Sequence, residues 1–321
     1  MRSRPFGRLG WPVSEIGHGL WGAGGWMDSD DERSLAAIEE SLSLGCTFFD
    51  TALAYGQGRS ERLLGQALAR HPSTAVTIAT KIPPKNQKWP ASAADAVADV
   101  FPPDHIRRST ETSLANLGRS SVDLQQFHVW TDEWAADEGW QRAVDDLKRE
   151  GLVRGIGISL NRWQPANGLK ALRTGLIDSV QVVYNVFDQS PEDELFPACR
   201  ELGIAIIARV PFDEGSLTGT LTPRSTWPAG DWRNLYFTPE KLRETLDRVD
   251  RLRAEVPDGM TLPELALRFI LESPDVSTAI PGMRTADHVR TNLAASGRKP
   301  LESGLKTRLR AHRWDRHYVV A

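Results

Sequence analysis

CTFFDTALAYGQGRSERLLGQALARHPSTAVTIATK, residues 46–81, is the stretch from which the fold is read. CTFFDT at 46–51 and AVTIATK at 75–81 are short aliphatic and aromatic runs of strand length, and 59–70 between them carries apolar residues at helical spacing. Runs this apolar indicate strands buried on both faces, which is the signature of parallel pairing with helices packed outside. The alternation continues in both directions. Strand-like runs lie at 15–19, 122–129, 152–158, 178–183, 204–210 and 276–280, and helical patterns at 30–44, 104–117, 135–150, 163–174, 192–202, 239–255 and 285–295. Eight such units predict a (β/α)8 TIM barrel, one domain over residues 1–321, with a doubly wound sheet as the alternative.

Segments outside the repeat add detail. FGRLGWPVS, near residue 10, has a central Leu-Gly suited to a small turn, so an N-terminal β-hairpin is expected to plug the bottom of the barrel. Residues 82–102 and 211–238 are long, rich in Pro, Gly and Trp, and each follows a strand. Loops of that length in a compact domain are usually functional, and loops after strands lie on the carboxyl-end face where barrel active sites are built.

Composition narrows the classes of function. The 321 residues carry 39 basic and 42 acidic side chains, a formal charge of −3, which argues against a nucleic-acid binder. With 40% hydrophobic and 25% charged residues the chain is globular in character. The basic excess at 284–316 reads as a solvated helical face, not an RNA or membrane surface. Cys46 and Cys199 sit in apolar stretches and are expected to be buried reduced thiols. The opening MRSRPFGRLG has no apolar signal core and no run of about 18 apolar residues occurs, so a cytoplasmic protein is expected.

Four polar residues stand at or near the carboxyl ends of predicted strands: Asp50 after CTFF, Tyr55 five residues on, Lys81 at the end of TIATK and His128 after LQQF. Each alone is ordinary. On strands 2, 3 and 4 of one barrel they converge on one rim. A tyrosine hydroxyl, with its pKa about 10, is a poor acid near neutrality, and a neighbouring ammonium favours the phenolate. A partly buried Lys81 needs a counter-charge, which Asp50 supplies, and His128 can orient a carbonyl oxygen. Such a site polarises a carbonyl and protonates the alkoxide. No H-x-x-x-H or C-x-x-C pair suggests zinc, and no metal is expected; no G-x-S-x-G elbow is present.

Seven blocks resemble the aldo-keto reductase family in that family's order: FFDTALAYGQGRSERLLGQAL at 48–68, TIATK at 77–81, DLQQFHVW at 123–130, LKREGLVRGIGIS at 147–159, QVVYNVFD at 181–188, ARVPFDEGSLTG at 208–219 and AIPGMRTADHVRTNLAA at 279–295. The resemblance implies a barrel that reduces an aldehyde or ketone with NADPH. It maps the family's tetrad onto Asp50, Tyr55, Lys81 and His128, with Tyr55 the proton donor and Lys81 lowering its pKa.

The same resemblance implies the cofactor contacts. In the family the cofactor lies extended across the barrel top, so a Rossmann-type site is not implied. Ser159 and Gln181 match carboxamide ligands, and Trp21 and Asp50 fall against the cofactor. Arg209 stands where an aromatic residue often stacks on the nicotinamide; a planar guanidinium can stack, yet its charge disfavours the cationic nicotinamide ring of NADP+ relative to the uncharged ring of NADPH. Pairing with Asp213 or Glu214 is the alternative for Arg209. Val210, Pro211, Phe212, Gly215, Ser216 and Gly219 belong to a stretch expected to close over the pyrophosphate. Gly282, Arg284, His288 and Asn292 resemble the adenosine-phosphate clamp, with Thr285 capping the next helix and Arg284 gripping a 2′-phosphate. NADP is therefore expected over NAD.

The substrate is expected to be a small carbonyl compound. Trp21, Trp26, Trp89 and Trp130 are candidates for an aromatic substrate wall, suited to sugars or to aromatic and alkyl aldehydes. The rival readings are an NADP-dependent sugar or alcohol dehydrogenase running in reverse, and a slow-turnover regulatory protein that senses NADPH. The oligomeric state is not specified by the sequence.

Overall fold

A computed structural model describes residues 1–26 and 29–316. Two antiparallel strands, β1 (Ser3–Phe6) and β2 (Trp11–Ser14), form the expected hairpin around one 3-10 turn at Gly7–Leu9. Eight parallel strands follow: β3 (His18–Gly19), β4 (Phe48–Asp50), β5 (Thr77–Ile82), β6 (Val122–Phe127), β7 (Val153–Ser159), β8 (Ser179–Val183), β9 (Ala205–Arg209) and β10 (Val276–Ala279). They lie in sequence order from β3 to β10. The sheet closes where β3 meets β10: Gly17 N–H donates to Ala279 O at 2.8 Å, Ala279 N–H to Glu15 O at 3.0 Å, and Gly19 N–H to Pro281 O at 3.0 Å.

The hairpin fills the amino-terminal end of the barrel. Phe6 and Val13 form one buried cluster with Phe48, Ala79, Leu124, Ala205, Ile207 and Ile280, and Leu9 and Trp11 pack on it. Phe6 stacks on Trp11 and on Phe48 at 5.8 and 5.6 Å. Gly7, at φ 49°, runs so close to β9 that a Cβ there would lie 2.5 Å from Ala205 N and 2.6 Å from Gly203 O, so only glycine fits.

Helices cover the outside. Asp30, Asp137, Thr238, Thr261 and Thr285 each accept a backbone N–H at a helix start, which sets where those helices begin. The pattern predicted over 163–174 shrinks to a helix at Leu169–Arg173. Trp163 at φ 60° and Pro165 hold the preceding turns out of helical geometry. A helix at Leu262–Leu271 is absent from the sequence reading. Six of its residues are buried, and it follows the helix Pro239–Arg253 with no strand between them, outside the strand–helix alternation. A further helix spans Ser303–Arg310. Among the described residues, no helix is long and apolar enough to cross a membrane. Cys46 and Cys199 are free and buried, and burial pushes their thiols up to about 11 and about 12.

Candidate active site

Side chains alternate along a strand, and the barrel interior changes character with height. Phe48, Ala79, Leu124 and Ile207 belong to the lower apolar cluster. Two residues further along the same strands stand Asp50, Lys81, Gln126 and Arg209. The upper layer is thus polar and charged because these four strands each carry a polar residue at or next to their carboxyl ends.

The predicted quartet comes together there. Lys81 is fully buried; its Nζ donates to Asp50 Oδ1 at 2.6 Å, to Thr51 O at 2.7 Å and to Tyr55 Oη at 3.4 Å. Asp50 Oδ2 accepts from Gln181 Nε2 at 2.7 Å and from Gln126 Nε2 at 3.3 Å. Gln126 had no signal in the sequence beyond its strand position. The rings of Tyr55 and His128 meet edge to face at 5.5 Å, and Trp89 stands edge-on to His128 at 4.6 Å. His128 Nδ1 is buried without a partner.

The environment sets the protonation states. Burial pushes Lys81 down, but Asp50 and Tyr55 outweigh it and hold the ammonium above its ordinary value. Burial raises Tyr55, and the opposing pull of Lys81 does not overcome it. The net shift is therefore upward, against the lowering expected from Lys81 alone, and Tyr55 is a neutral phenol near pH 7. Burial, then the charges of Lys81 and Arg209, hold His128 well below the usual histidine range, so its imidazole is neutral.

Asp50, Tyr55 and His128 face a cavity of about 1520 Å³, lined also by Trp21, Trp26, Trp89, Gln181, Arg209 to Phe212, Gly215 and Gly282, with Lys81 buried behind it. Trp21 and Trp89 are 42% and 46% exposed, large apolar surface left open at the cavity wall. Trp130 is a correction. It is fully buried among Phe127, Trp134 and Trp140, with its indole N–H on Asp132, and takes no part in the cavity. It sits two residues past His128, where strand β6 has ended and the side chain packs outward against the helical layer at Trp140. Ser159, Ser216, Gly219, Arg284, His288 and Asn292 also lie off the cavity wall. Ser216 Oγ donates to Asp213 at 2.8 Å, and Ser159 and Asn292 are buried. Asn161 is held by the backbone of Ala91 in both directions, at 3.2 and 3.0 Å, and ties two upper loops together.

Arg209 does not pair with Asp213 or Glu214. Asp213 is held by Arg316 at 2.8 Å, and Glu214 by Arg162 in a close ion pair. Arg209 Nη2 donates to Leu160 O at 2.9 Å, while its Nε is buried without a partner. Burial and the nearby Arg162 pull its guanidinium down to about 10. Arg162, Glu214 and Trp232 are cavity residues outside the predicted set. Arg162 had no motif to mark it; its guanidinium lies over the Trp232 and Tyr236 rings at 5.8 and 4.8 Å.

The residues present fit a dinucleotide. Gly215 and Gly282 bring bare backbone to the cavity, and a Cβ on either would meet nothing within 4 Å. Arg284 and His288 are exposed beside the amino end of the helix Ala286–Leu293, whose Thr285 cap accepts from His288 N–H at 3.2 Å. Burial and the charges of Arg284 and Arg33 lower His288, which places a second arginine, Arg33, near this cluster. Among the described residues no group of His, Cys, Asp and Glu is arranged to hold a metal.

A closed parallel barrel with a buried lysine–carboxylate pair, a tyrosine and a histidine gathered on its carboxyl-end rim has the layout of a (β/α)8 enzyme. The chain belongs to the aldo/keto reductase family: the family model matches residues 15–312. It is 30% identical over 311 residues to the NADH-specific methylglyoxal reductase of Escherichia coli, covering 92% of this chain and 93% of that one. It is 27% identical to the aldo-keto reductase yakc [NADP(+)] of Schizosaccharomyces pombe, over 88% of this chain and 84% of the other. Among solved structures it resembles the glycerol dehydrogenase of Gluconobacter oxydans, with a TM-score of 0.80, 25% identity and coverage of 97% and 94%. These relatives are oxidoreductases acting on carbonyl or alcohol groups.

Proposed function

We propose that this chain reduces an aldehyde or ketone to the alcohol with NADPH, Tyr55 supplying the proton. The observation that carries the reading is the Tyr55–Lys81–Asp50 chain of contacts beside a neutral His128. Bound cofactor supplies the hydride; the chain's own residues supply everything else. His128, neutral, donates from its imidazole N–H to the carbonyl oxygen and orients it. Tyr55 gives up its phenolic proton as negative charge develops on that oxygen. The phenolate so formed lies 3.4 Å from the Lys81 ammonium, which stabilises it. Asp50 keeps Lys81 charged, and Gln126 and Gln181 occupy the other carboxylate oxygen and fix its orientation.

NADPH over NADH is favoured by the cationic group of Arg284 and Arg33 at the amino end of the helix Ala286–Leu293, a setting that suits a 2′-phosphate. The NADH-specific name of the E. coli relative makes the comparison of the two cofactors the first binding measurement. Oxidation of an alcohol or sugar is the reverse of the same steps, with Tyr55 as base, and the glycerol dehydrogenase resemblance supports it as a second direction.

The test is NADPH consumption with a panel of reactive aldehydes and oxidised sugars, for the native chain and Tyr55→Phe. Loss of about 10²–10⁴-fold in kcat with cofactor affinity retained is expected. Reduction should be flat through neutral pH, because Tyr55 is raised and stays protonated, and should fall only as pH rises through the tyrosine pKa. A Tyr55→Phe protein with native turnover overturns the assignment.

A further inference from the structure

Arg316, the last described residue, is 3% exposed, although its neighbours in sequence belong to a stretch whose basic residues otherwise face solvent. The tail reaches it by defined steps. Arg313 makes a two-point ion pair with Asp193 at 2.7 and 2.5 Å. Trp314 N–H donates to Phe187 O at 2.8 Å, and its ring packs against Phe187 at 6.0 Å and under Arg248 at 4.2 Å. Arg316 then donates to Tyr236 Oη at 2.7 Å and to Asp213 Oδ1 at 2.8 Å, and pairs closely with Asp188.

The loop it meets is held in an unusual backbone. Val210, Asp213 and Glu214 all have positive φ, at 56°, 43° and 57°. Non-glycine residues keep such angles only where the surroundings over-determine them. Here each has an anchor. Asn185 Nδ2 donates to Val210 O at 3.1 Å, Arg162 pairs with Glu214, and Asp213 is held by Arg316, Tyr236 and Ser216. Asp213 is fully buried, so the Arg316 cation is what makes its carboxylate tolerable there. The same loop lines the cavity through Val210, Pro211, Phe212, Glu214 and Gly215.

We propose that Arg316 is a positioning residue of the dinucleotide site: from the carboxyl-terminal segment it fixes residues 210–219 in the conformation that walls the cavity. The role rests on the reading that this loop covers the bound cofactor. Arg316 touches neither substrate nor reacting atoms and acts through Asp213 and Tyr236.

The test compares the native chain with Arg316→Met, Arg316→Lys and the double variant Arg316→Met/Asp188→Asn. The double variant removes a buried carboxylate with the cation and leaves the cluster's net charge unchanged, so it remains a folded test if the single variant unfolds. Two readouts are taken: amide hydrogen exchange without ligand, and NADPH affinity and release rate followed by fluorescence. Exchange in 210–219 should accelerate while the barrel strands stay protected. NADPH should bind about tenfold more weakly and leave faster. The KM for the carbonyl compound should move much less, and Arg316→Lys should restore part of the affinity. Unchanged exchange in 210–219 in the double variant overturns the proposal. Accelerated exchange together with a native chain that binds no dinucleotide upholds the brace and sinks the cofactor reading beneath it. Accelerated exchange with native NADPH affinity and release overturns the positioning role.

Discussion

The two ends of the barrel interior are built from the same strands and differ in nearly every respect. At the amino end, Phe48, Ala79, Leu124 and Ile207 close on Phe6 and Val13 of the hairpin, apolar against apolar. Two residues further on stand Asp50, Lys81, Gln126 and Arg209, of which Asp50 and Arg209 line a cavity, and His128 Nδ1, Gln126 Oε1 and Arg209 Nε are buried without partners. An unsatisfied buried polar atom costs about 1–3 kcal/mol, so the upper layer is held in place by contacts made elsewhere. The lower end contributes stability and the upper end spends it on readiness for a ligand. One strand thus carries both tasks, separated only by the alternation of its side chains.

Three substitutions test that division. Lys81→Met strikes the upper end where charge is paired, and should be the largest. It leaves Asp50 buried without its cation, so a loss of about 3–5 kcal/mol in urea unfolding is expected, along with at least about 100-fold in kcat. Native stability with no activity would show that the ion pair serves chemistry alone. Phe6→Ala strikes the lower end. It should cost about 3–5 kcal/mol, yet leave kcat/KM within about threefold once the protein is folded. A comparable fall in kcat/KM would mean that the two ends are not separable. Arg209→Met is the finest probe. In the native chain the guanidinium should make NADP+ bind about tenfold or more weaker than NADPH, and the variant should narrow that ratio. Equal affinities for the two redox states in the native chain would remove Arg209 from beside the nicotinamide.

Much of this was legible in the sequence because barrel strands and their terminal residues obey local rules. Six of the eight barrel strands fall within the runs read from apolar pattern and β5 and β7 overrun theirs by one residue, and Asp50, Lys81 and His128 converge because each stands at or next to the end of its strand. The helix at Leu262–Leu271 was not legible, because it follows the helix Pro239–Arg253 with no strand between them, whereas the alternation assigns one helix per strand. Trp130 was misplaced because proximity in sequence to His128 says nothing about which way a side chain turns after the strand ends. Arg162 and Arg316 were invisible for a different reason. Their partners Glu214 and Asp213 are 52 and 103 residues away, and a buried ion pair leaves no local pattern.

Lys81 also has a chemical consequence beyond its effect on Tyr55. An amine beside an aldehyde ordinarily condenses to an imine, and lysines used that way are kept neutral by lowered pKa values. Here Asp50, Thr51 O and Tyr55 occupy the ammonium's donors, and the raised pKa denies the nitrogen a free lone pair. Cys46 and Cys199, buried and held protonated, are equally poor nucleophiles. Under the proposed carbonyl reduction, Lys81 thus offers an aldehyde no free amine to condense with, and both thiols lie away from the cavity wall.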